Sequence, residues 1–305
     1  LSPDTLLHNR YRIIRLLGQG GMGGVYLAND TSLDQQVAVK VNFRVGEDSS
    51  TQFYREARLL ASLRHLHLPR VIDYFVIANN QFLVMDYIPG EDLGTLIARE
   101  GRQPVERVKA WAKQLGEALV YLHGQHPPVV HRDIKPANIK ITPSGDLVLV
   151  DFGIAKATDA SQSTSTGASG YTPGFAPPEQ YGATRTGPYT DQFSFAATLY
   201  MLLTGERPAD SIERTLNQTA LIPIHDYNPK VPAEFEQAIL KGMALRPDER
   251  FVFGGQPEPL TILHGFQQHL LQLLIVRMGS FLPILNSIGL HIIRRIPVSD
   301  APKPS

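Results

Sequence analysis

The side chains with the clearest chemical use lie in one short run, from His131 to Asn138. Asp133 is a carboxylate that can accept the proton of a hydroxyl or orient that hydroxyl. Lys135 follows two residues later and can neutralise a transferring phosphoryl group. Asn138 offers a neutral carbonyl oxygen, a ligand suited to Mg²⁺. The run therefore predicts a polar loop built for phosphoryl transfer.

A second acid follows a strand-like segment, residues 146–150. Asp151 opens the sequence Asp-Phe-Gly and supplies a carboxylate for the same cation as Asn138. A hard cation held by oxygen atoms needs no soft ligand, which agrees with the absence of Cys. The alternative is two unrelated polar turns, but the order and interval of so many matched positions favour one site.

A glycine cluster lies near the start of the chain. Residues 18–25 fit the pattern G-x-G-x-x-G-x-V. A dinucleotide-binding fold would need a helix directly after the glycines, whereas residues 25–27 are strand-like. We therefore expect a hairpin in which backbone N–H groups approach phosphates closely. A plain glycine hairpin without a ligand remains the alternative for this motif alone.

Lys40 ends an apolar, strand-like run, residues 37–40, and is a candidate cation for phosphate oxygens. Because a buried Lys needs a partner, Glu56 on the helical segment 53–63 is the candidate for an ion pair. The alternatives are a Lys with a solvated ammonium group on an edge strand and a Glu on the exposed side of its helix.

Composition excludes several classes of protein. The chain has 305 residues, with 29 Lys and Arg balanced by 29 Asp and Glu, so no basic surface for nucleic acid is expected. The absence of Cys excludes disulfide scaffolds, Cys-bound zinc and thiol nucleophiles. A hydrophobic fraction of 43% supports a large core. The N-terminal residues lack a secretory signal pattern, and a chain that begins with Leu1 is expected to be part of a longer protein.

The period of the apolar residues changes near residue 88. Residues 10–87 read as short strands with one helix, including a hairpin at residues 79–80. After Pro89 and Gly90, helical spacing dominates over residues 93–100, 105–122, 191–204 and 233–244. This pattern predicts an α+β protein with a small β-rich part followed by a larger helical part.

Taken together, these motifs resemble bacterial Ser/Thr protein kinases of the eukaryotic-like type. The match runs in order from Tyr11 to Arg250 and includes residues 18–25, Lys40, Glu56, 131–138, 151–153, 177–179, Asp191 and Arg250. The resemblance implies a bilobed protein-kinase-like fold, with an N-lobe over residues 1–88 and a C-lobe over residues 89–256. It also implies ATP as phosphoryl donor, with Mg²⁺ or Mn²⁺ as the metal ion, and transfer to Ser or Thr of protein substrates.

The resemblance assigns roles to individual residues. Asp133, Lys135, Lys40 and Glu56 would be catalytic, with Glu56 holding Lys40 on the α- and β-phosphates and with Asn138 and Asp151 holding the metal. ATP would contact Leu17, Gly18, Gly20, Gly23, Val25, Ala38, Lys40, Met85, Asp86, Ile88 and Asp92. Met85 would lie at the back of the nucleotide pocket. Backbone groups of Asp86 and Ile88 would form hydrogen bonds with the purine edge, and Asp92 would contact the ribose. Lys140 replaces an apolar residue under the base, which its aliphatic stem could cover.

The same resemblance predicts regulation through the loop after Asp151. A phosphate on Thr164 or Thr166 could pair with Arg132 and order this loop, which predicts autophosphorylation. Thr172 would link Asp133 and Lys135. Glu179 and Arg250 are expected to form a buried ion pair, and Asp191 to accept backbone N–H groups of the turn at residues 131–132.

The C-terminal residues depart from the family pattern. Residues 257–297 are expected to be atypical apolar helices or a tail, and residues 298–305 the start of a Pro-containing linker. Residues 270–293 could span a membrane, lie at its interface, or pack on the lobe. We therefore expect a cytoplasmic kinase domain that could associate with a membrane through this segment and could form a homodimer for autophosphorylation in trans.

The sequence argues against three alternative functions. A pseudokinase scaffold predicts loss of Lys40, Asp133 or Asp151, and all three are present. A small-molecule phosphotransferase would lack the peptide-docking segment that this chain has at residues 172–179. A pure nucleotide-binding module would not need Asp133 and Lys135 on the acceptor side.

Overall fold

Six antiparallel strands form the sheet of the N-lobe, in the order β1-β2-β3-β4-β6-β5. A computed structural model describes residues 1–20, 23–42, 54, 57–78, 80–151, 171–182 and 186–251, all within one compact unit. The strands are β1 (Leu6–Leu7), β2 (Tyr11–Gly20), β3 (Gly23–Asp30), β4 (Gln35–Asn42), β5 (Val71–Ile77) and β6 (Asn80–Asp86). Strands β5 and β6 pair antiparallel, with Ile77 opposite Asn80, which confirms the hairpin predicted around residues 79–80.

The side-chain alternation of β4 explains how one strand serves both the core and the site. Val37, Val39 and Val41 are at most 2% exposed and pack in the core of the N-lobe with aromatic residues of β2, β5 and β6. Because successive side chains of a strand point to opposite faces, Ala38 and Lys40 face the other side of the sheet. The three valines thus pack the strand against the core, while Lys40 lies on the opposite face of the sheet.

The N-lobe also contains a helix, α1, whose described part is residues 57–62, within the predicted helix at residues 53–63. Its Ala57 and Leu60, with Leu63 just beyond it, are buried.

The C-lobe is helical. Its helices are α2 (Leu93–Glu100), α3 (Val105–His123), α4 (Pro178–Tyr181), α5 (Pro188–Thr204), α6 (Ser211–Thr215), α7 (Ile224–Tyr227) and α8 (Ala233–Gly242), with short 3-10 helices at Pro136–Asn138 and Pro247–Glu249. Helix α3 confirms the helix predicted at residues 105–122 and buries one face, whereas α5 is buried along nearly its whole length. Helix α5 begins at Pro188, three residues before the predicted start, because Pro fits the first turn of a helix. Across the described residues, no helix has the length and apolar character that crossing a bilayer requires.

A two-stranded hairpin brings the two acidic loops together. Strands β7 (Ile139–Ile141) and β8 (Leu147–Leu149) pair with Ile139 opposite Leu149. The pairing continues beyond the strands, since the Val150 N–H donates to the Asn138 carbonyl at 2.8 Å. This register places Asn138 beside the residue that precedes Asp151.

Candidate active site

The buried carboxylate of Asp191, on α5, holds the polar loop at residues 131–138. Asp191 accepts the backbone N–H groups of His131 at 2.7 Å and of Arg132 at 2.8 Å, as predicted. The Nε2 atom of His123, at the end of α3, lies 2.9 Å from the same carboxylate. Burial is the largest single influence on Asp191 and opposes its charge, but the hydrogen bond and charge of His123, the charge of His131 and the backbone N–H of His131 together outweigh it, so the pKa of Asp191 is lowered. Asp191 therefore holds the loop as an anion.

Asp133 lies at the centre of the loop and is bracketed by two donors. Lys135 Nζ lies 3.1 Å from Asp133 Oδ2, and Asn138 Nδ2 donates to the same oxygen at 2.8 Å. Lys135 also donates to Thr172 Oγ1 at 2.9 Å. Lys135 therefore joins Asp133 to Thr172, which agrees with the linking position assigned to Thr172. The Asp133 carboxylate is oriented before any substrate enters.

Asn138 and Asp151 provide oxygen atoms suited to a hard divalent cation. Because Asn138 Nδ2 makes both hydrogen bonds to Asp133, to Oδ2 and to the backbone carbonyl, each at 2.8 Å, Oδ1 is directed away from that residue. The β7–β8 register brings Asp151 to the same end of the hairpin. An amide oxygen and a carboxylate fit Mg²⁺. Among the described residues, no group of three or more His, Cys, Asp or Glu forms a separate metal site.

Lys40 of the N-lobe forms an ion pair with Asp151 of the C-lobe. Both side chains are partly accessible, at 25% and 44% exposure, so the pair lies in an open cleft. Asp151 has a positive φ of 63°, a conformation that is costly for a non-glycine residue and is concentrated at functional sites. The cation and the acid thus face the same space. Glu56, the predicted partner of Lys40, lies outside the described residues, and its role stays a prediction.

The glycine motif forms the predicted hairpin between β2 and β3. Gly18 pairs with Val25, and Gly20 pairs with Gly23, so a strand and not a helix follows the glycines. A side chain at Gly23 would collide with the backbone carbonyl of Val41 on β4, which explains why only glycine fits there. This geometry excludes the strand-to-helix turn of dinucleotide-binding folds.

The residues assigned to the base and ribose lie on or next to strands β2, β3, β4 and β6 and at the N-terminal cap of α2. Ala38 is 7% exposed, Leu17 on β2 is 37% exposed, and Met85 lines a recess together with Lys40 and Asp151. Asp92 caps α2, since its carboxylate accepts the N–H and the hydroxyl of Thr95, each at 2.9 Å. The contacts of these residues with ATP, including those of Asp86 and Ile88, stay predictions.

Lys140 on β7 reaches back to the segment between β6 and α2. Its ammonium group donates to the Gly90 carbonyl at 3.2 Å. The charge is therefore held at the exposed edge, and the aliphatic stem runs along the side of the hairpin opposite the buried Ile139.

Arg132, the predicted phosphate receptor, is held by residues that the sequence motifs did not indicate. Its Nε donates to Thr186 Oγ1 at 3.0 Å, and its carbonyl accepts from Gln180 Nε2 at 2.9 Å. No local pattern marks Thr186 or Gln180, because each is about fifty residues away along the chain. The proposed phosphorylation sites, Thr164 and Thr166, lie outside the described residues.

Comparison with known proteins places this geometry in a family. The family model described as protein kinase domain matches residues 11–252. A probable serine/threonine-protein kinase of Clostridium acetobutylicum is 34% identical over 255 residues, which are 81% of this chain and 38% of that protein. The serine/threonine-protein kinase PknA of Mycobacterium tuberculosis is 34% identical over 267 residues, which are 84% of this chain and 62% of PknA.

The fold comparison agrees. The crystal structure of a double mutant of the Mycobacterium tuberculosis PknI kinase domain superposes with a TM-score of 0.69 at 24% identity, covering 88% of this chain and 99% of that one. The chain spans less than two thirds of the length of the two curated relatives. With the ordered loop at residues 131–138, the Lys40–Asp151 pair and a family match over most of its length, the chain belongs to the protein kinase family.

Proposed function

We propose that this chain transfers the γ-phosphoryl group of ATP to Ser or Thr hydroxyls of proteins. The observation that carries the proposal is the arrangement around Asp133. Its carboxylate is held by Lys135 at 3.1 Å and Asn138 at 2.8 Å, and Lys135 reaches the docking segment through Thr172 at 2.9 Å. The relatives named above are serine/threonine-protein kinases, which supports the same acceptor class.

The chemical step can be written with the residues of this chain. The acceptor hydroxyl oxygen forms a bond to the γ-phosphorus, the bond to the oxygen bridging the β- and γ-phosphorus atoms breaks, and ADP leaves. The hydroxyl proton passes to the Asp133 carboxylate. Lys135 neutralises negative charge on the transferring group, so that positioning and electrostatics supply most of the rate.

Lys40 would bind the phosphates that are not transferred. In the described structure its ammonium group is paired with Asp151, so nucleotide binding would exchange part of that contact for phosphate oxygens. Asn138 and Asp151 would hold Mg²⁺, or Mn²⁺, which when bound offsets the charge of the triphosphate. The hairpin β7–β8 keeps these two residues in register for that purpose.

The direct test is phosphoryl transfer from radiolabelled ATP to a mixture of Ser- and Thr-containing peptides. Asp133→Ala should lower the rate by about 10²–10⁴-fold, the range for a positioned proton acceptor. Asp146→Ala is the matched control, because it removes a carboxylate from the exposed β7–β8 turn, where the Asp146 side chain accepts a hydrogen bond from Ser144 at 2.7 Å. Equal incorporation by the unsubstituted chain and by Asp133→Ala would exclude the proposed enzyme.

Autophosphorylation is a further part of the proposal. A phosphate on Thr164 or Thr166 would pair with Arg132, whose Nε is held by Thr186 at 3.0 Å. Mass spectrometry after incubation with ATP would identify the modified residues. A loop that stays unmodified while peptides are phosphorylated would contradict this part and leave the transferase activity intact.

We also propose protein substrates, which follow from the family, and a homodimer for autophosphorylation in trans. A cytoplasmic location and membrane association through residues 257–297 complete the proposal. Sedimentation with and without lipid vesicles would test both the homodimer and the membrane association. A homodimer would sediment at twice the mass of one chain without vesicles, whereas membrane association would make the chain sediment with the vesicles.

A further inference from the structure

Residues 172–176 of the peptide-docking segment, here called the docking turn, are held at several points by side chains of the C-lobe. At one end Thr172 contacts Lys135 at 2.9 Å. At the other end the carbonyls of Phe175 and Ala176 accept hydrogen bonds from Ser194 at 2.8 Å and Ser211 at 2.7 Å. A single turn joins the ends, since the Thr172 carbonyl accepts the N–H of Phe175 at 3.1 Å.

Asp210, the residue before α6, holds the middle of this turn. Its Oδ2 accepts the backbone N–H of Gly174 at 3.2 Å and the hydroxyl of Tyr181 at 2.9 Å. Its Oδ1 caps α6 by accepting the N–H of Ile212 at 2.9 Å. One carboxylate therefore fixes the docking turn, the last residue of α4 and the start of α6.

The backbone around Gly174 leaves little room for another arrangement. Gly174 has a φ of 84°, and a Cβ there would lie 2.6 Å from the Pro208 carbonyl oxygen. The turn is thus pressed against residues 207–208, just before Asp210. The Tyr181 hydroxyl stays protonated and donating, because burial and the hydrogen bond to Asp210 raise the pKa of Tyr181.

We propose that Asp210 is a positioning residue for the protein substrate: through Gly174 and Tyr181 it sets where the docking turn presents an acceptor peptide to Asp133. This inference rests on the proposed transfer to Ser or Thr of proteins. Only an anion with two accepting oxygens satisfies all three donors, since an amide offers one accepting oxygen and turns its NH₂ toward an N–H. Asp210→Asn therefore loses either the Gly174 bond or the cap of α6.

The test compares two reactions of the full 305-residue chain. The acceptor is a single-threonine peptide, selected from a degenerate library as the best substrate of the unsubstituted chain. Asp210→Asn should raise the KM for this peptide about tenfold, as expected for a lost hydrogen bond to a charged group. The KM for ATP and the rate of ATP hydrolysis by water should stay within twofold of the unsubstituted values, because neither uses the docking turn.

Two companion variants sharpen the comparison. Tyr181→Phe removes one of the three donors and should raise the peptide KM by a smaller factor than Asp210→Asn. Glu213→Gln is the matched control, since it removes a charge from α6 at a side chain that contacts Thr219 and not the docking turn. Its peptide KM should equal that of the unsubstituted chain.

Hydrogen exchange gives a readout that does not depend on activity. In Asp210→Asn the peptic fragment that contains Gly174 should exchange faster, and the fragment with residues 131–138 should not change. Unchanged exchange at Gly174, or an equal loss in peptide transfer and ATP hydrolysis, would overturn the positioning role. Absence of transfer by the unsubstituted chain to any peptide would instead refute the proposed function, and exchange would still decide whether Asp210 holds the turn.

Discussion

Arg250 and Glu179 form a bidentate ion pair that is shielded from solvent. Arg250 Nη1 lies 2.7 Å from Glu179 Oε1, and Nη2 lies 3.0 Å from Oε2, with side-chain exposures of 0% and 4%. The guanidinium also donates to the carbonyls of Tyr189 and Ala244, at 2.9 and 2.8 Å. The pair therefore ties the end of the docking segment to α5 and to the turn after α8, as the sequence predicted.

Removal of one partner of this pair should destabilise the chain strongly. Glu179→Ala leaves the Arg250 charge buried without its acid, and such a loss costs about 3–5 kcal/mol. Urea unfolding followed by circular dichroism should show a lower midpoint, and Arg250→Met should show a similar loss. The control is Asp248→Ala, which breaks an ion pair with Arg246 whose side chains are 70% and 67% exposed, so its midpoint should not move. An unchanged midpoint for Glu179→Ala would contradict the expectation.

Thr172 should act through its hydroxyl group. Thr172→Val keeps the shape of the side chain but removes the acceptor of Lys135, so Lys135 becomes less well placed beside Asp133. We expect kcat for peptide phosphorylation to fall about tenfold, the usual scale for a hydrogen bond to a charged group, with the KM for ATP unchanged. Thr172→Ser retains the hydroxyl and should keep most of the activity. Equal effects of the two substitutions would refute a role for the hydroxyl.

Acidification should weaken the fold through His131. Burial lowers the pKa of His131, and the neighbouring carboxylates of Asp191, Asp133 and Asp151 offset this only in part. As the pH falls, the imidazole of His131 therefore takes up a proton in the unfolded state before it does so in the folded state, at a pKa of about 6.5. Stability is fully present above that pH and is lost as the pH falls below it, by up to about 1.4 kcal/mol per pH unit.

The measurement is the free energy of unfolding in urea between pH 7.5 and 5. His131→Phe should flatten the dependence in this range, whereas an unaltered slope would show that other groups cause it. Asp191, whose pKa is lowered, contributes in a different window: its stabilisation is lost only as the pH falls below about 3.8, the ordinary value for Asp.

Lys140 should support the nucleotide through its stem and not its charge. Because the ammonium group is held by the Gly90 carbonyl at 3.2 Å, we expect the methylene groups to cover the base when ATP binds. Lys140→Met preserves that apolar stem, so the KM for ATP should stay within about twofold or fall. Lys140→Gly removes it and should raise this KM by about tenfold, which corresponds to roughly 1.4 kcal/mol of lost apolar contact. Steady-state kinetics at a saturating peptide concentration would distinguish the two, and equal values would argue against contact with the base.

The chemistry-bearing loops could be predicted from the sequence because their residues are neighbours in the chain. Both the loop from His131 to Asn138 and the glycine hairpin are recognised by the spacing of nearby residues. That spacing is the same however the other parts of the chain pack. The long helix α3 was also predictable, since its buried face is periodic over several turns. Strand β1 and helices α4, α6 and α7 were not predicted, because two to five residues are too few to show a period.

The sequence by itself determined which side chains can do chemistry and in which order they follow one another, because spacing along the chain is a property of the chain alone. Only the tertiary structure decided that Lys40 contacts Asp151, 111 residues away, and that Asp210 accepts the N–H of Gly174, 36 residues before it. Such contacts depend on how the sheet and helices pack and on strand register, and no local pattern encodes them. Contacts between residues far apart in the chain position the docking turn, whereas the phosphoryl-transfer residues can be recognised from their own sequence motif.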